Sequence, residues 1–283
     1  MKNKIKLLKR QIIYDMKIIL SFQHKRHLIF IIIIVFLFML FHRKVNGYTA
    51  ILEDDGIGFW DYLIYIFCGK NKMNNLTQLD IFDMPVEWLL IHSYILLAVG
   101  TYPKVEYGER GYQFLLRAGN KWCWWISKGF YIITDVMLYY FSIMLVALVF
   151  SILNGTSINN INKDILYYVF GIDGSKLTMN DIVRSTVIMP LLIIIALCIT
   201  LMFISFVVNI MISVIILLAY LSVSAYWCSK WLLGNYTMVL RTDEVPFVAG
   251  VLIACGITVI FFLWGYLYFN QMDMIGKQRE EMI

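Results

Sequence analysis

The chain has 283 residues, of which 60% are hydrophobic and only 15% are charged, and its formal net charge is +5. Soluble globular domains are about 45–50% apolar and about 25% charged, so the composition excludes an ordinary soluble domain and indicates a protein surrounded by lipid. The five cysteines are scattered, which excludes a disulfide framework and paired metal-ligand spacing.

The first predicted element is an amphipathic helix over residues 4–23. Leu8, Ile12, Met16 and Ile19 recur at helical spacing, and lysine and arginine residues lie elsewhere on the helical wheel. A basic amphipathic helix of this kind lies in the membrane interface with its apolar face towards the lipid. The open alternative is an unstructured basic tail that only sets the orientation of the chain.

Long apolar runs predict membrane-spanning helices. About 20 mostly apolar helical residues cross a hydrocarbon layer about 30 Å thick. The run from Val187 to Trp227 is twice that length and contains no charged residue, so it predicts two helices with a short turn near Asn209. The sequence therefore predicts an all-α integral membrane protein, one transmembrane domain over 1–283 with six spans. These are residues 27–42, 85–102, 129–153, 187–206, 209–228 and 246–268.

The basic residues predict the orientation. With six spans both termini lie on one side, and that side carries 15 of the 24 Lys and Arg residues while the other side carries nine. By the positive-inside rule the termini are cytoplasmic. The basic face is expected to attract anionic lipid headgroups, and no nucleic-acid recognition motif accompanies it.

Two connections on the outer side contain many apolar residues. Residues 43–84 form the longest connection, and its aromatic residues predict a short helix packed over the outer mouth. Residues 229–245 are short and apolar enough for part of them to dip back towards the membrane.

The most informative segment is the predicted cytoplasmic connection of residues 103–128. A short helix over 111–118 would present Tyr112 and Leu115 as an apolar strip with Arg110 and Arg117 beside it. A helix of this kind is suited to docking in the groove of a soluble partner. A run of aromatic and basic residues, from Lys121 to Lys128, follows it.

With this segment the chain resembles the membrane-spanning permeases of type-2 ABC exporters. In that family an acidic residue and a glycine precede a short coupling helix, and a basic run with tryptophans opens the third span. Glu106 or Glu109 matches the acidic residue here, while Trp122 and Cys123 depart from the family's usual run. The likeness covers nearly the whole chain in topology, but its sequence-specific part is this segment alone.

The resemblance implies a bacterial plasma-membrane transport subunit, not an enzyme itself. Residues 4–23 would be the interfacial elbow helix, and a second permease copy or a homologous permease would complete the path. ATP and Mg²⁺ would bind a separate ATP-binding-cassette subunit, because this chain has no phosphate-loop motif. The substrate would be a hydrophobic or amphipathic peptide, antibiotic or lipid. The residues expected to contact the ATP-binding subunit are Glu106, Glu109, Arg110, Tyr112, Leu115 and Arg117.

Two polar residues, Asp135 and His92, lie within predicted spans. An intramembrane carboxylate is a functional candidate by default, so Asp135 either lines the translocation path or is a structural residue that pairs with Lys128 or a backbone group of a neighbouring helix. His92 is expected to bond a neighbouring helix, since no second metal ligand is in register with it. The chain shows no catalytic motif. An intramembrane enzyme and a non-transporting immunity or sensor protein remain alternative functions.

Overall fold

In the computed structural model the described residues are 2–21, 23–48, 56–71, 84–111, 115, 120–156, 161–173 and 177–272, and within these ranges the protein is all-helical. The described residues form ten α-helices, together with π-helical and 3₁₀ turns. They are α1 (Lys2–Ser21), α2 (His24–Asn46), α3 (Phe59–Phe67), α4 (Val86–Ile95), α5 (Tyr102–Glu106), α6 (Lys121–Leu153), α7 (Met179–Val183), α8 (Met189–Val207), α9 (Ile210–Tyr226) and α10 (Phe247–Gln271).

Four of the described helices are long and apolar enough to cross a membrane. They are His24–Asn46, Lys121–Leu153, Phe247–Gln271 and the continuous helix Met179–Val207, in which a π-helical turn joins α7 to α8. They contain the predicted runs 27–42, 129–153 and 187–206 in full, and all of the run 246–268 except Pro246, which precedes the last helix. Large apolar side chains such as Ile32 and Phe36 remain 58% exposed, as expected for surfaces that face lipid. These helices indicate a membrane protein.

The two other predicted spans coincide with shorter helices. Run 209–228 contains α9, which has 17 residues. Run 85–102 contains α4 and a π-helical turn, Leu96–Gly100, followed by a bend at Thr101 and then α5. A total of six spans therefore stays a prediction.

The double-length apolar run is divided by a two-residue break. Helix α8 ends at Val207, and α9 begins at Ile210. The Asn209 side chain caps α9 by accepting a hydrogen bond of 2.8 Å from the Ile212 backbone N–H. The break lies inside the segment where the sequence places it, because an asparagine in an apolar run favours a helix start.

Contacts between the long helices give their relative directions. Helices α2 and α6 are parallel, since His27 near the start of α2 binds Asp135 in the middle of α6, and His42 near the end of α2 binds Asn154 just after the end of α6. Helix α10 is antiparallel to α6, and the Lys121 ammonium at the start of α6 donates to carbonyls at the end of α10. We call the side that holds α1, the start of α6 and the end of α10 the N-terminal face, and the other side the opposite face.

Helix α1 packs across the first turns of α6. Its buried positions include Gln11, Asp15, Ile18 and Ile19, while Ile13 is 45% exposed. The face of α1 that packs against α6 is therefore partly polar, whereas the sequence predicts an apolar face directed towards the lipid. The reason is that Asp15 has a charged partner on α6.

The segment between α9 and α10 folds back into the helix bundle on the opposite face. Its 3₁₀ turns, Leu233–Thr237 and Val239–Arg241, are almost fully buried. The Arg241 guanidinium donates to the carbonyls of Ser224 and Ala225, at 2.6 Å each, in the last turn of α9. A buried cation at a helix C-terminus satisfies carbonyls that have no partner in the helix. Arg241 thus fixes this segment to α9.

Helix α3 also packs on the opposite face, against α4 and α6. Eight of its nine residues are buried. At its start the carboxylate of Asp61 accepts a hydrogen bond of 2.8 Å from the Gly58 backbone N–H. The described part of the predicted connection 43–84 thus contains a short helix.

Candidate functional site at the N-terminal face

Three charged side chains meet inside the protein at the N-terminal face. The Lys128 ammonium lies 2.6 Å from a carboxylate oxygen of Asp15 and 3.2 Å from one of Glu106. Asp15 and Lys128 are fully buried, and Glu106 is 5% exposed. We call these three residues the charge cluster. It connects α1, the end of α5 and the second turn of α6.

Neighbouring side chains complete the hydrogen bonds of both carboxylates. Ser127 donates its hydroxyl to Asp15 at 2.5 Å, and the Trp124 indole N–H donates to Glu106 at 3.3 Å. The Lys128 ammonium also lies 5.1 Å from the centre of the Tyr102 ring. Buried ions persist only when paired and hydrogen-bonded in this way.

The charge cluster carries two carboxylates for one ammonium. Burial raises the pKa of Glu106 above its usual range, and the nearby Lys128 opposes that rise while Asp15 adds to it. Breaking one contact would leave a buried charge without its partner, which is strongly destabilising. The three elements are therefore held together as one unit.

The backbone after Glu106 lies against the charge cluster. The π-helical turn Tyr107–Gly111 follows α5 directly. A Cβ atom on Gly111 would lie 2.8 Å from the Glu106 carboxylate and 3.1 Å from the Trp124 indole nitrogen. Only glycine fits here without displacing a side chain that is already held by Lys128.

The residues expected to contact a partner fall into three groups. Glu106 is buried in the charge cluster, and Leu115 is 2% exposed in the protein core. Glu109 and Arg110 belong to the π-helical turn Tyr107–Gly111, and their side chains lie outside the described part of the structure. Tyr112 and Arg117 lie outside the described residues altogether. Their role in partner binding stays a prediction.

Asp135 lies on α6 and is bound by two side chains. One carboxylate oxygen lies 3.0 Å from His27 Nε2, and the other accepts a hydrogen bond of 3.1 Å from the Tyr131 hydroxyl. The expected pairing with Lys128 is wrong, because Lys128 points into the charge cluster, where the carboxylates of Asp15 and Glu106 bind it. Asp135 is fully buried, and the His27 ring, 16% exposed, stacks on Tyr139 at 4.2 Å.

His27 is the functional candidate that the sequence reasoning missed. It lies among basic residues at the start of α2, and in the sequence these residues are explained by their effect on the orientation of the chain in the membrane. The neighbouring Arg26 donates to the Ala98 carbonyl at 3.0 Å, and the Tyr94 hydroxyl donates to the Arg26 carbonyl at 2.7 Å. The start of α2 is thus bonded to two other helices, and no local pattern reveals contacts between residues so distant in sequence.

His92 is fully buried in α4. Its Nδ1 atom lies 2.8 Å from the Trp88 carbonyl, one turn earlier in the same helix. The expected bond to a neighbouring helix is therefore replaced by a bond within α4. Among the described residues no group of three or more His, Cys, Asp or Glu side chains is arranged to hold a metal ion.

The chain matches no protein-family model, no curated protein and no solved structure. Its function therefore has to be argued from the residues and their arrangement.

Proposed function

We propose that this chain is the membrane-spanning permease subunit of an ABC exporter, powered by a separate ATP-binding subunit. The observation that carries the proposal is the charge cluster, which binds the segment after α4 to both α1 and α6. The substrate would be a hydrophobic or amphipathic peptide, antibiotic or lipid, as the apolar helices provide few polar contacts for a hydrophilic one.

The charge cluster suggests how movement of this segment reaches the helices. A partner that grips the π-helical turn Tyr107–Gly111 would displace Glu106, which immediately precedes that turn. Glu106 is joined to Lys128 on α6, and Lys128 is joined to Asp15 on α1. Because a buried ion pair resists separation, α1 and α6 would move with the segment.

A six-span topology with cytoplasmic termini is part of the proposal. The predicted span 85–102 is helical from Val86 to Gly100, although its geometry changes from α to π at Leu96. Helix α9 is about 25 Å long at 1.5 Å per residue, somewhat short of the usual thickness. Short spans are accommodated by local thinning of the bilayer. The alternating helix directions support this arrangement.

The proposed partners are an ATP-binding-cassette subunit and a second permease copy or homologue. Val105, 40% exposed, and Gly108 lie on the surface beside the charge cluster, where a soluble subunit could dock. Glu109, Arg110, Tyr112 and Arg117 are proposed to take part. ATP and Mg²⁺ would bind only the partner.

Asp135 is the proposed polar residue of the translocation path. It is fully buried behind His27, so it would face a path only when this pair separates. Asp135→Asn should therefore alter transport if the pair opens during the cycle. Full transport by this variant would remove Asp135 from the mechanism.

Co-purification from the native host tests the proposal. The full-length chain, solubilised in mild detergent, should retain a subunit that contains a phosphate-loop motif and hydrolyses ATP. Val105→Trp should reduce the retained subunit at least tenfold, because a large ring at this surface would obstruct docking. Val149→Trp is the matched control, since Val149 is 43% exposed on the far half of α6 and its replacement should leave retention unchanged.

Purification without any ATP-hydrolysing subunit would overturn the proposal and favour an intramembrane enzyme or an immunity protein. Equal retention by the wild type and Val105→Trp would show that the partner docks elsewhere.

A further inference from the structure

An apolar groove runs along the membrane-facing surface between α6 and α10, near the N-terminal face. Its volume is about 350 Å³, and α8 closes its back at Ile199. Phe130 on one wall and Val259 and Leu263 on the other remain half exposed, so the groove is open at the side. Its size is in the range of small-molecule sites in proteins.

At one point along the groove the two walls, α6 and α10, pack closely against each other. A Cβ atom on Gly129 would lie 2.6 Å from the Phe262 ring, so glycine allows α6 and α10 to approach at this level. Thr258 is the one hydroxyl-bearing residue in the lining, and it donates to the Ala254 carbonyl of its own helix at 2.8 Å. The groove therefore offers its occupant no hydrogen bond from that hydroxyl and suits a hydrocarbon chain.

The end of the groove nearest the N-terminal face has the residues of a lipid–water interface. Trp122 lies one turn before Ile126 on α6, and Tyr266 lies one turn after Phe262 on α10. Their rings meet edge to face at 4.6 Å, and Trp122 is 40% exposed. Tryptophan and tyrosine favour the headgroup level of a bilayer.

Positive charge lies at the same level. The Lys4 carbonyl accepts a hydrogen bond from the Cys123 thiol at 3.5 Å, which places the start of α1 one turn below the groove. The Lys4 side chain is exposed. Lys121 adds a second, partly buried ammonium at the beginning of α6, which also donates to the Asn270 and Met272 carbonyls. Basic residues at the membrane surface attract anionic headgroups.

We infer that this groove binds one acyl chain of an anionic phospholipid from the leaflet at the N-terminal face, with the headgroup held beside Lys4 and Lys121. The apolar lining of the groove matches the acyl chain of such a lipid. The aromatic residues lie at the level of the lipid–water interface, and the basic residues lie where the anionic headgroup would be. The inference requires only that the protein lies in a membrane and is independent of the proposed transport function.

A mid-chain diazirine analogue of phosphatidylglycerol tests the position of the acyl chain. After irradiation of the full-length protein in bilayer nanodiscs, mass spectrometry should find label on the peptides that contain Phe130 and Val259. The phosphatidylcholine analogue with the same chains should label them at least fivefold less. Equal labelling by the two lipids would overturn the headgroup contact, and a covalent link between two copies of the chain at these peptides would show that a second copy fills the groove.

A matched pair of substitutions tests the groove itself. Val259→Trp should reduce retention of phosphatidylglycerol after detergent washing at least fivefold, because the ring fills the space for the chain. Ile260→Trp is the control, since Ile260 is equally exposed on α10, at 56%, but does not line the groove. Leu263→Trp is a second filling variant in case the first does not fold. Wild-type retention by a folded filling variant would overturn the inference.

Discussion

At the residue scale, Asp61 is a buried carboxyl group whose proton affinity depends on folding. One of its oxygens accepts a hydrogen bond of 2.8 Å from the Gly58 backbone N–H. Burial raises the pKa of Asp61 to about 7, and backbone hydrogen bonds from Gly58 and Asn162 oppose that rise. Below about pH 7 the neutral acid is therefore favoured at the start of α3, on the opposite face.

This pKa predicts a pH dependence of stability. The value in the folded protein lies above that of the unfolded chain, about 3.9, so the folded state binds more protons between these two values. The stability that protonated Asp61 contributes should be lost as the pH rises towards about 7 and change little above that. The thermal unfolding temperature in detergent, measured from pH 5 to pH 8, should fall for the wild type.

Asp61→Asn is the control variant, because an amide keeps the oxygen that accepts from Gly58 but does not titrate. Its unfolding temperature should lack the component that falls between pH 5 and pH 7. Identical pH profiles for the two proteins would show that another group is responsible.

At the element scale, the π-helical turn Tyr107–Gly111 contains two glycines in different surroundings. A Cβ atom on Gly111 would press on Glu106 and Trp124, whereas one on Gly108 would meet nothing within 4 Å. Gly111→Ala should therefore lower stability by about 1–3 kcal/mol, the usual range for overpacking. It should also loosen the contact between Glu106 and Lys128.

Gly108→Ala is the matched control in the same turn. Alanine restricts the unfolded chain more than glycine does, so this variant should be neutral or more stable by up to about 1 kcal/mol. Thermal unfolding of both variants in detergent measures the difference. A Gly111→Ala protein as stable as Gly108→Ala would contradict the packing described at the charge cluster.

At the scale of the whole molecule, the helix directions predict which segments share a side of the membrane. The N-terminus and the end of α10 lie on one face, and Gly155, an exposed turn after α6, lies on the other. Since the N-terminal face is the more basic, it should be cytoplasmic. An epitope inserted at Gly155 should bind antibody on intact cells, and an epitope before Met1 should bind only after permeabilisation. The reverse result would show that the orientation is inverted.

The sequence predicts the long helices well, because nearly every residue of a membrane-spanning helix must be apolar, and the run is therefore visible in the sequence. It also locates the break at Asn209, where a single polar side chain interrupts the run. The sequence does not predict the charge cluster as a unit, although Glu106 and Lys128 both belong to the segment that resembles the permease family. Its third member, Asp15, lies on a helix whose pattern suggests contact with lipid alone. Pairs such as His27 with Asp135, 108 positions apart, depend on helix packing, which periodicity does not encode.

The two-residue break between α8 and α9 also bears on how the protein is synthesised. Only Val208 and Asn209 separate the two helices. A connection of two residues is too short to extend through water between a helix already in the bilayer and one still outside it. During translation, synthesis of α9 begins only two residues after α8 is complete. In the proposed six-span topology the two helices should therefore insert together as a hairpin, with Asn209 at its tip, and a truncation within α9 should leave α8 less stably inserted in the membrane.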